Sequence, residues 1–382
     1  MSRLWIALAA VVLVAWVPAA GDEPPQVEVQ DRGPALRQTG HPGHEGHQQV
    51  NHDILMRNDL VAYQLRYCAC VDKAHDPKVV PLEGYIGMPL PASCNWYHSG
   101  FLRVILDGED IGQYPLADFA ALDSGDRGLC RMVWDYPGGR VRVSFVLEPN
   151  GRCLKTQILL APNQPPTSIS LALNCYPSFF TSHYKRQGAR RILTPATEVK
   201  EGATSAVPAA DNWWALYEDE VFDVARGEGE GPCGLLLMPA QAEEVRFAPG
   251  GYAVPTTITF KPDQRDLRLA FWDFKGLTNV EALDYLKAHS GETLADLLNT
   301  KFTPLILEQT DLAAERREFE QLCARAGGGE VAQQQRQRLD EAEKAVTAAR
   351  QGDWQSEKKL ADLLREYHNA LWELKIEALF AE

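Results

Sequence analysis

Pro137-Gly138-Gly139-Arg140-Val141-Arg142-Val143-Ser144-Phe145-Val146-Leu147-Glu148-Pro149-Asn150-Gly151 is the stretch on which the fold turns. Val141, Val143, Phe145 and Leu147 alternate with Arg140, Arg142, Ser144 and Glu148, and turn residues stand on both sides. Successive side chains of a strand point to opposite faces, so this pattern predicts a half-buried antiparallel strand. The same period continues through Leu154, Thr156, Ile158 and Leu160, then Ile169, Leu171, Leu173 and Cys175, and returns at Leu267, Leu269 and Phe271. Phe101 to Leu106 followed by Asp107-Gly108 adds a strand and its turn. Strands at short intervals without intervening helical periods predict a large antiparallel two-sheet β-sandwich over residues 61–275, longer than one immunoglobulin-type domain.

The pattern changes on both sides of that region. Met1-Ser2-Arg3, the uncharged run Leu4 to Val17 and the small residues around Ala19-Ala20-Gly21 read as a secretory signal over 1–20, because the apolar stretch stops at Ala20, short of the ~20 residues a membrane span needs. The mature chain is therefore expected to be exported, periplasmic or extracellular, without a membrane span. Residues 21–60 hold Glu23-Pro24-Pro25, Arg32-Gly33-Pro34 and the tract Gly40-His41-Pro42-Gly43-His44-Glu45-Gly46-His47, a composition that reads as a flexible linker. Beyond Gly276 the period becomes helical. Short helices are expected at Asn279 to His289 and Thr293 to Thr300, and a longer one from Asp311 to Ala326. An antiparallel hairpin of Glu330–Gln351 and Asp353–Phe380 follows, with Asp353 as an N-cap and Leu360, Leu363, Tyr367, Leu371, Leu374 and Ala378 as its apolar stripe.

Composition excludes some partners. The 382 residues carry 52 acidic against 38 basic side chains, a net charge of −14, so the phosphate neutralisation behind nucleic-acid affinity is missing. A hydrophobic content of 45% supplies a sizeable core. Eight cysteines in a chain of this length are too few for a disulfide scaffold, even in an oxidising compartment. Cys130 and Cys153, two strands apart in the expected meander, lie beyond bonding reach, and no pair of CxxC motifs suggests zinc. Gly227-Glu228-Gly229-Glu230-Gly231 lacks the Lys-Ser/Thr of a phosphate loop, and no motif indicates an organic cofactor.

Three segments can carry chemistry. Asn174 to Arg186 joins a strand end to a loop with His183, Tyr184, Lys185 and Arg186, followed by Arg190 and Arg191, groups able to hold a carboxylated sugar or move a proton. Asp211 to Asp223 offers Trp213 and Trp214 for stacking on a sugar ring, with Glu218 and Glu220 on one strand face as an acid and base if a pocket covers them. In a strand the two tryptophans point to opposite faces, which places at least one in the core. His41, His44 and His47 are spaced to close on a transition metal, or simply to hydrate.

With Ser168 to Cys175 running into Tyr176-Pro177-Ser178-Phe179-Phe180, the order of elements resembles the galactose mutarotase-like β-supersandwich, a family of carbohydrate epimerases and of β domains in polysaccharide lyases and glycosidases. The resemblance covers the β region and implies a glycan ligand. Mutarotases pair a histidine with a catalytic glutamate, and His183 stands in a similar loop; a lyase would use Tyr184 or His183 as base. Two functions are thus expected to compete: a secreted carbohydrate-interacting protein, with His183, Tyr184 and Glu218 catalytic and Arg186, Trp213, Trp214 and Glu220 binding, or a non-catalytic envelope scaffold that meets a protein partner through its C-terminal helices.

Overall fold

The computed structural model describes residues 26–87, 96–98, 102–177, 187–221, 231–251, 253–326 and 329–380. Two antiparallel sheets face each other. Across the first run Glu28–Gln38, Gln48–Arg57, Ala62–Cys70, Val80–Gly87, Trp96–His98, Ile169–Cys175, Val254–Phe260, Ala242–Phe247 and Ser205–Pro208, with Arg103–Leu106 also pairing Ile169–Cys175. Across the second run Glu198–Lys200, Gln187–Leu193, Trp214–Val221, Cys233–Leu237, Asp266–Asp273, Cys153–Pro162, Gly139–Leu147, Gly128–Tyr136 and Leu116–Asp123. The expected sandwich is present. Val141, Val143, Phe145 and Leu147 point into the inter-sheet core with Ile54, Leu65, Leu171, Leu235, Ile258 and Phe271.

Residues 21–60 are not a linker where they are described. Glu28–Gln38 and Gln48–Arg57 pair antiparallel as a hairpin, and the second of them pairs on with Ala62–Cys70. Ile54 and Met56 are fully buried. The glycines and histidines are the hairpin connection, where Gly43 and Gly46 adopt φ of 81° and 79°, a left-handed conformation open to glycine at little cost. Pro34 is tolerated because it stands at a register shift of an edge strand, where its missing N–H costs no ladder bond.

The second sheet is covered again on its far side. Helix α1 (Asn279–Asn299) starts from a capping box between Thr278 and Glu281 and lays Ala282, Leu286 and Leu297 on Leu216, Leu236, Ala270 and Trp272. It is one helix where the sequence suggested two, because Ser290 is buried in the contact and the ~1 kcal/mol cost of Gly291 is small against that burial. Then come α2 (Leu305–Gln309), α3 (Leu312–Ala326), α4 (Glu330–Arg350) and α5 (Trp354–Phe380). Asp353 caps α5 as expected, accepting from the Ser356 N–H at 2.9 Å. The buried stripe of α5 includes Leu360, Leu364, Tyr367, Leu371, Leu374 and Ala378, with Leu363 only partly covered.

The helical region is joined to the sandwich by charge. Arg131 of the second sheet, fully buried, meets Glu357 of α5 at 2.7 Å and donates to the Trp354 carbonyl at 3.2 Å, and Arg142 reaches Glu357 at 3.2 Å. Cys68, Cys70, Cys130, Cys153, Cys175, Cys233 and Cys323 are free thiols. Among the described residues no helix is long and apolar enough to cross a membrane.

Candidate functional site

Among the described residues, the segments singled out in the sequence do not line one open pocket. His183, Tyr184 and Arg186 lie outside the described residues. Trp214 is buried beneath α1, and Trp213 packs partly against the same cluster. At least one of the pair, Trp214, is in a core as expected; Trp213 precedes the strand, so strand alternation does not govern it. Glu218 is buried and receives Arg191 Nε at 2.5 Å, while Glu220 is exposed. Burial raises the Glu218 carboxyl pKa against the lowering by Arg191. Glu218 is thus engaged with Arg191, whereas Glu220 lies at the exposed end of the strand. On the next residue Asp219 turns toward the other sheet and pairs with buried Arg190 at 3.1 Å, the guanidinium lying 4.9 Å from the Tyr176 ring centroid. These pairs follow from the register Arg190 to Asp219 and Arg191 to Glu218, which no local pattern reveals.

Chemistry concentrates instead on the outer face of the first sheet. Period-2 alternation sends Tyr63, Leu65, Tyr67 and Ala69 into the core and their neighbours outward. Asp53, Arg66 and Tyr85 are direct neighbours across three strands, as are Asn51, Cys68 and Glu83. Arg66 forms a bidentate bond with Asp53, Nε to Oδ1 at 2.6 Å and Nη2 to Oδ2 at 2.9 Å, lies 5.0 Å from the Tyr85 centroid and has Glu83 at 3.8 Å. The hydrogen bonds to Asp53 hold the guanidinium pKa far above its usual value, fixing it as a cation. With their amide oxygens turned toward it, Asn51 and Gln49 bind Arg37 Nε at 2.6 and 2.9 Å. Burial, reinforced by Glu83, pushes the Cys68 thiol up to about 11.

The hairpin connection bends over one end of this face. His44 N–H donates to the His41 carbonyl and His47 N–H to the His44 carbonyl, each at 3.0 Å, so consecutive turns space the rings. The three linker histidines separate into two groups. His41 meets Cys68 and Glu83, whereas His44 and His47 meet Cys70 and His75; within each group the ligand atoms lie within 4.8 Å of one another. Sequence spacing pointed to the loop as a metal ligand source, but Cys70 and His75 were missed because they arrive from the neighbouring strand and the turn after it.

Two clefts open along the strand Leu116–Asp123. One of about 500 Å³ is lined by Val50, His52, Tyr67, Phe119, Asp118 and Lys358, with His52 held by Asp31 at 2.7 Å and Lys358 on Asp118 at 3.1 Å. The other, of about 640 Å³, lies between the strand Leu116–Asp123 and helices α2 and α5.

No protein-family profile matches the sequence, and no curated protein matches it. Solved structures with a similar course of chain include a Klebsiella pneumoniae subsp. pneumoniae MGH 78578 protein provisionally described as an aldose 1-epimerase, with TM-score 0.38 and 7% identity over 71% of this chain and 96% of that one. The α-N-acetylgalactosaminidase NagBb of Bifidobacterium bifidum matches with TM-score 0.38 and 9% identity, over 64% of this chain and 38% of the enzyme. Values this low transfer no residue and no activity to the present chain.

Proposed function

We propose that this is an exported carbohydrate-interacting protein that holds a hydroxyl-rich glycan on the outer face of its first sheet. The observation that carries the reading is the row Asp53, Arg66 and Tyr85, in which a partly exposed guanidinium is fixed bidentately by a carboxylate and laid against a buried aromatic ring. Planar donors and acceptors held without rotamer freedom suit vicinal hydroxyls, since their ordering cost is met on folding rather than on binding. Asn51, Glu83 and Arg37 extend the same array. A net gain of ~1 kcal/mol per surface hydrogen bond sets affinities on the order of micromolar to millimolar. A glycan array at high protein concentration, followed by calorimetry, tests the reading. Arg66→Ala should weaken binding at least tenfold and Trp213→Ala leave it unchanged. Absence of binding to neutral and acidic glycans alike overturns it.

A second reading, an assembly protein acting through α5, is favoured by one observation. Trp372, Ile376 and Leu379 are exposed on successive turns, Trp372 and Leu379 by 67% each. Sedimentation of the full chain tests self-association through this stripe. Association lost on Trp372→Glu supports it, and a monomer at every concentration refutes it.

A further inference from the structure

We propose that His44, His47, Cys70 and His75 form a four-coordinate site for a divalent transition-metal ion of the zinc class, which clips the hairpin connection to the end of the strand Ala62–Cys70. Three independent pieces of chain deliver the ligands. The connection between Gln38 and Gln48 supplies His44 and His47, the strand supplies Cys70, and the 3-10 turn Lys73–His75 supplies His75. Each piece is set by its own hydrogen bonds. Thr39 N–H donates to the His47 carbonyl at 2.9 Å and closes the connection; Val71 N–H donates to the Gln48 carbonyl at 2.8 Å and fixes Cys70 beside it. Asp72 caps the turn, accepting from the Ala74 N–H at 3.0 Å.

The four ligand atoms converge within 4.8 Å of one another. Ligands at ~2.0–2.3 Å from a tetrahedral ion stand ~3.4–3.6 Å apart, so closure needs side-chain swings of only about an ångström. Cys70 Sγ and His47 Nδ1 are already 3.7 Å apart. The imidazoles of His44, His47 and His75 have centroids 5.2 to 5.7 Å apart and interplanar angles of 55° to 76°, the arrangement of rings meeting by their edges rather than stacking. His44 Nδ1 and His75 Nε2 are buried without a hydrogen-bond partner. Buried polar atoms are normally paired, and two such nitrogens on members of one cluster point to a ligand.

The donor set selects the ion. Three neutral imidazoles and one thiolate suit zinc and neighbouring borderline metals and are wrong for calcium or magnesium, which take oxygen. Such a centre carries one positive charge, and Glu45 and Asp72 lie close enough to interact with the histidines electrostatically. Four protein ligands leave no open position, which marks a structural site. Hydrogen bonds shape the connection but no core anchors it: Thr39 to His47 contains no large apolar side chain, so a coordinate cross-link takes the place of a core there.

Untagged full-length protein, stripped with chelator and titrated with Co²⁺, tests the assignment. One equivalent should give the intense visible bands of tetrahedral cobalt and a thiolate-to-cobalt charge-transfer band, both abolished by Zn²⁺. Cys70→Ser should remove the charge-transfer band and weaken Zn²⁺ binding at least tenfold, His75→Ala should weaken it similarly, and His41→Ala should leave the spectrum intact. If the buried Cys70→Ser protein fails the circular-dichroism check of folding, His44→Ala and His75→Ala in the surface turns read the same site. No charge-transfer band in the parent protein overturns the proposal. So does Zn²⁺ affinity unchanged in the His44 and His75 variants, or a band that follows His41 and Cys68 instead.

Discussion

Much of the nine-stranded sheet is covered on both faces, by the inter-sheet core on one side and by α1 and α5 on the other, whereas on the outer face of the first sheet Asn51 and Asp53 of Gln48–Arg57 and Arg66 of Ala62–Cys70 keep partial access to water. Where that sheet is covered on both faces a buried charge must find a partner inside the protein, as Arg131 does in Glu357 and Glu218 in Arg191. On the outer face of the first sheet Asn51, Asp53 and Arg66 are held in register by the backbone and are only partly covered. That difference separates where the sequence stores stability from where it can offer chemistry.

The contrast can be broken most severely at its buried charges. Glu357→Ala leaves Arg131 enclosed without its anion and strips a second contact from Arg142, so a loss of about 3–5 kcal/mol is expected in urea denaturation. Burial already pulls the Arg131 pKa down, the direction expected of a cation that depends on its partner. Leu286→Ala, which opens a cavity between α1 and the second sheet, should cost about 2–5 kcal/mol in the same measurement, and loss of less than 1 kcal/mol would show that the outer cover is loosely packed. On the first sheet the effects should be smaller. Arg66→Ala is expected to cost about 1 kcal/mol or less, because both the guanidinium and Asp53 retain access to water, while glycan binding falls.

The smallest effect is a pH dependence at the edge hairpin. Burial raises the Asp31 carboxyl, but the bonds from His52 and from the Gly33 and Ala121 N–H groups outweigh it and leave its folded pKa below the usual value. A depressed carboxyl contributes stability above the unfolded pKa of ~3.9 and loses it as pH falls through the folded value. Asp31→Asn should therefore be less stable than the parent near pH 6, with the gap shrinking toward pH 3, in thermal scans across that range. A gap that stays constant would remove Asp31 from the acid response.

What the sequence made legible follows the same division. Alternation located Gly139–Leu147, Cys153–Pro162, Ile169–Cys175 and Asp266–Asp273, because core-facing residues recur at every second position whatever lies across the sheet. The cap at Asp353 and the stripe from Leu360 to Ala378 were equally local signals. The hairpin Glu28–Arg57 was not legible, since its first strand is exposed along most of its length and a Gly/His-rich connection dominates the composition. Nor were the sites. Glu218 stood out as a free carboxylate until its register with Arg191 was known, and Cys70 joins His44 only through the pairing of Gln49 with Cys70. Local period reports which face a residue takes; the partner on that face comes from pairing between distant segments.

The outermost strand, Glu28–Gln38, has a further consequence. It pairs with Gln48–Arg57 on one side; at its start the other edge is taken by the turn after Leu116–Asp123, where Val29 N–H donates to Ser124 Oγ at 3.1 Å and Val27 bridges Gly125, and further along that edge presents backbone groups that another chain could extend. Along it stand Asp31, Arg32 and Arg37, Pro34 removes one donor, and the register shifts between Asp31 and Pro34, so no straight ladder is available to a neighbour. At the opposite margin Ser205–Pro208 is four residues long and ends in proline. A sandwich guarded in this way at both ends of its open sheet is protected against strand-by-strand polymerisation at high concentration, a property separate from anything it binds.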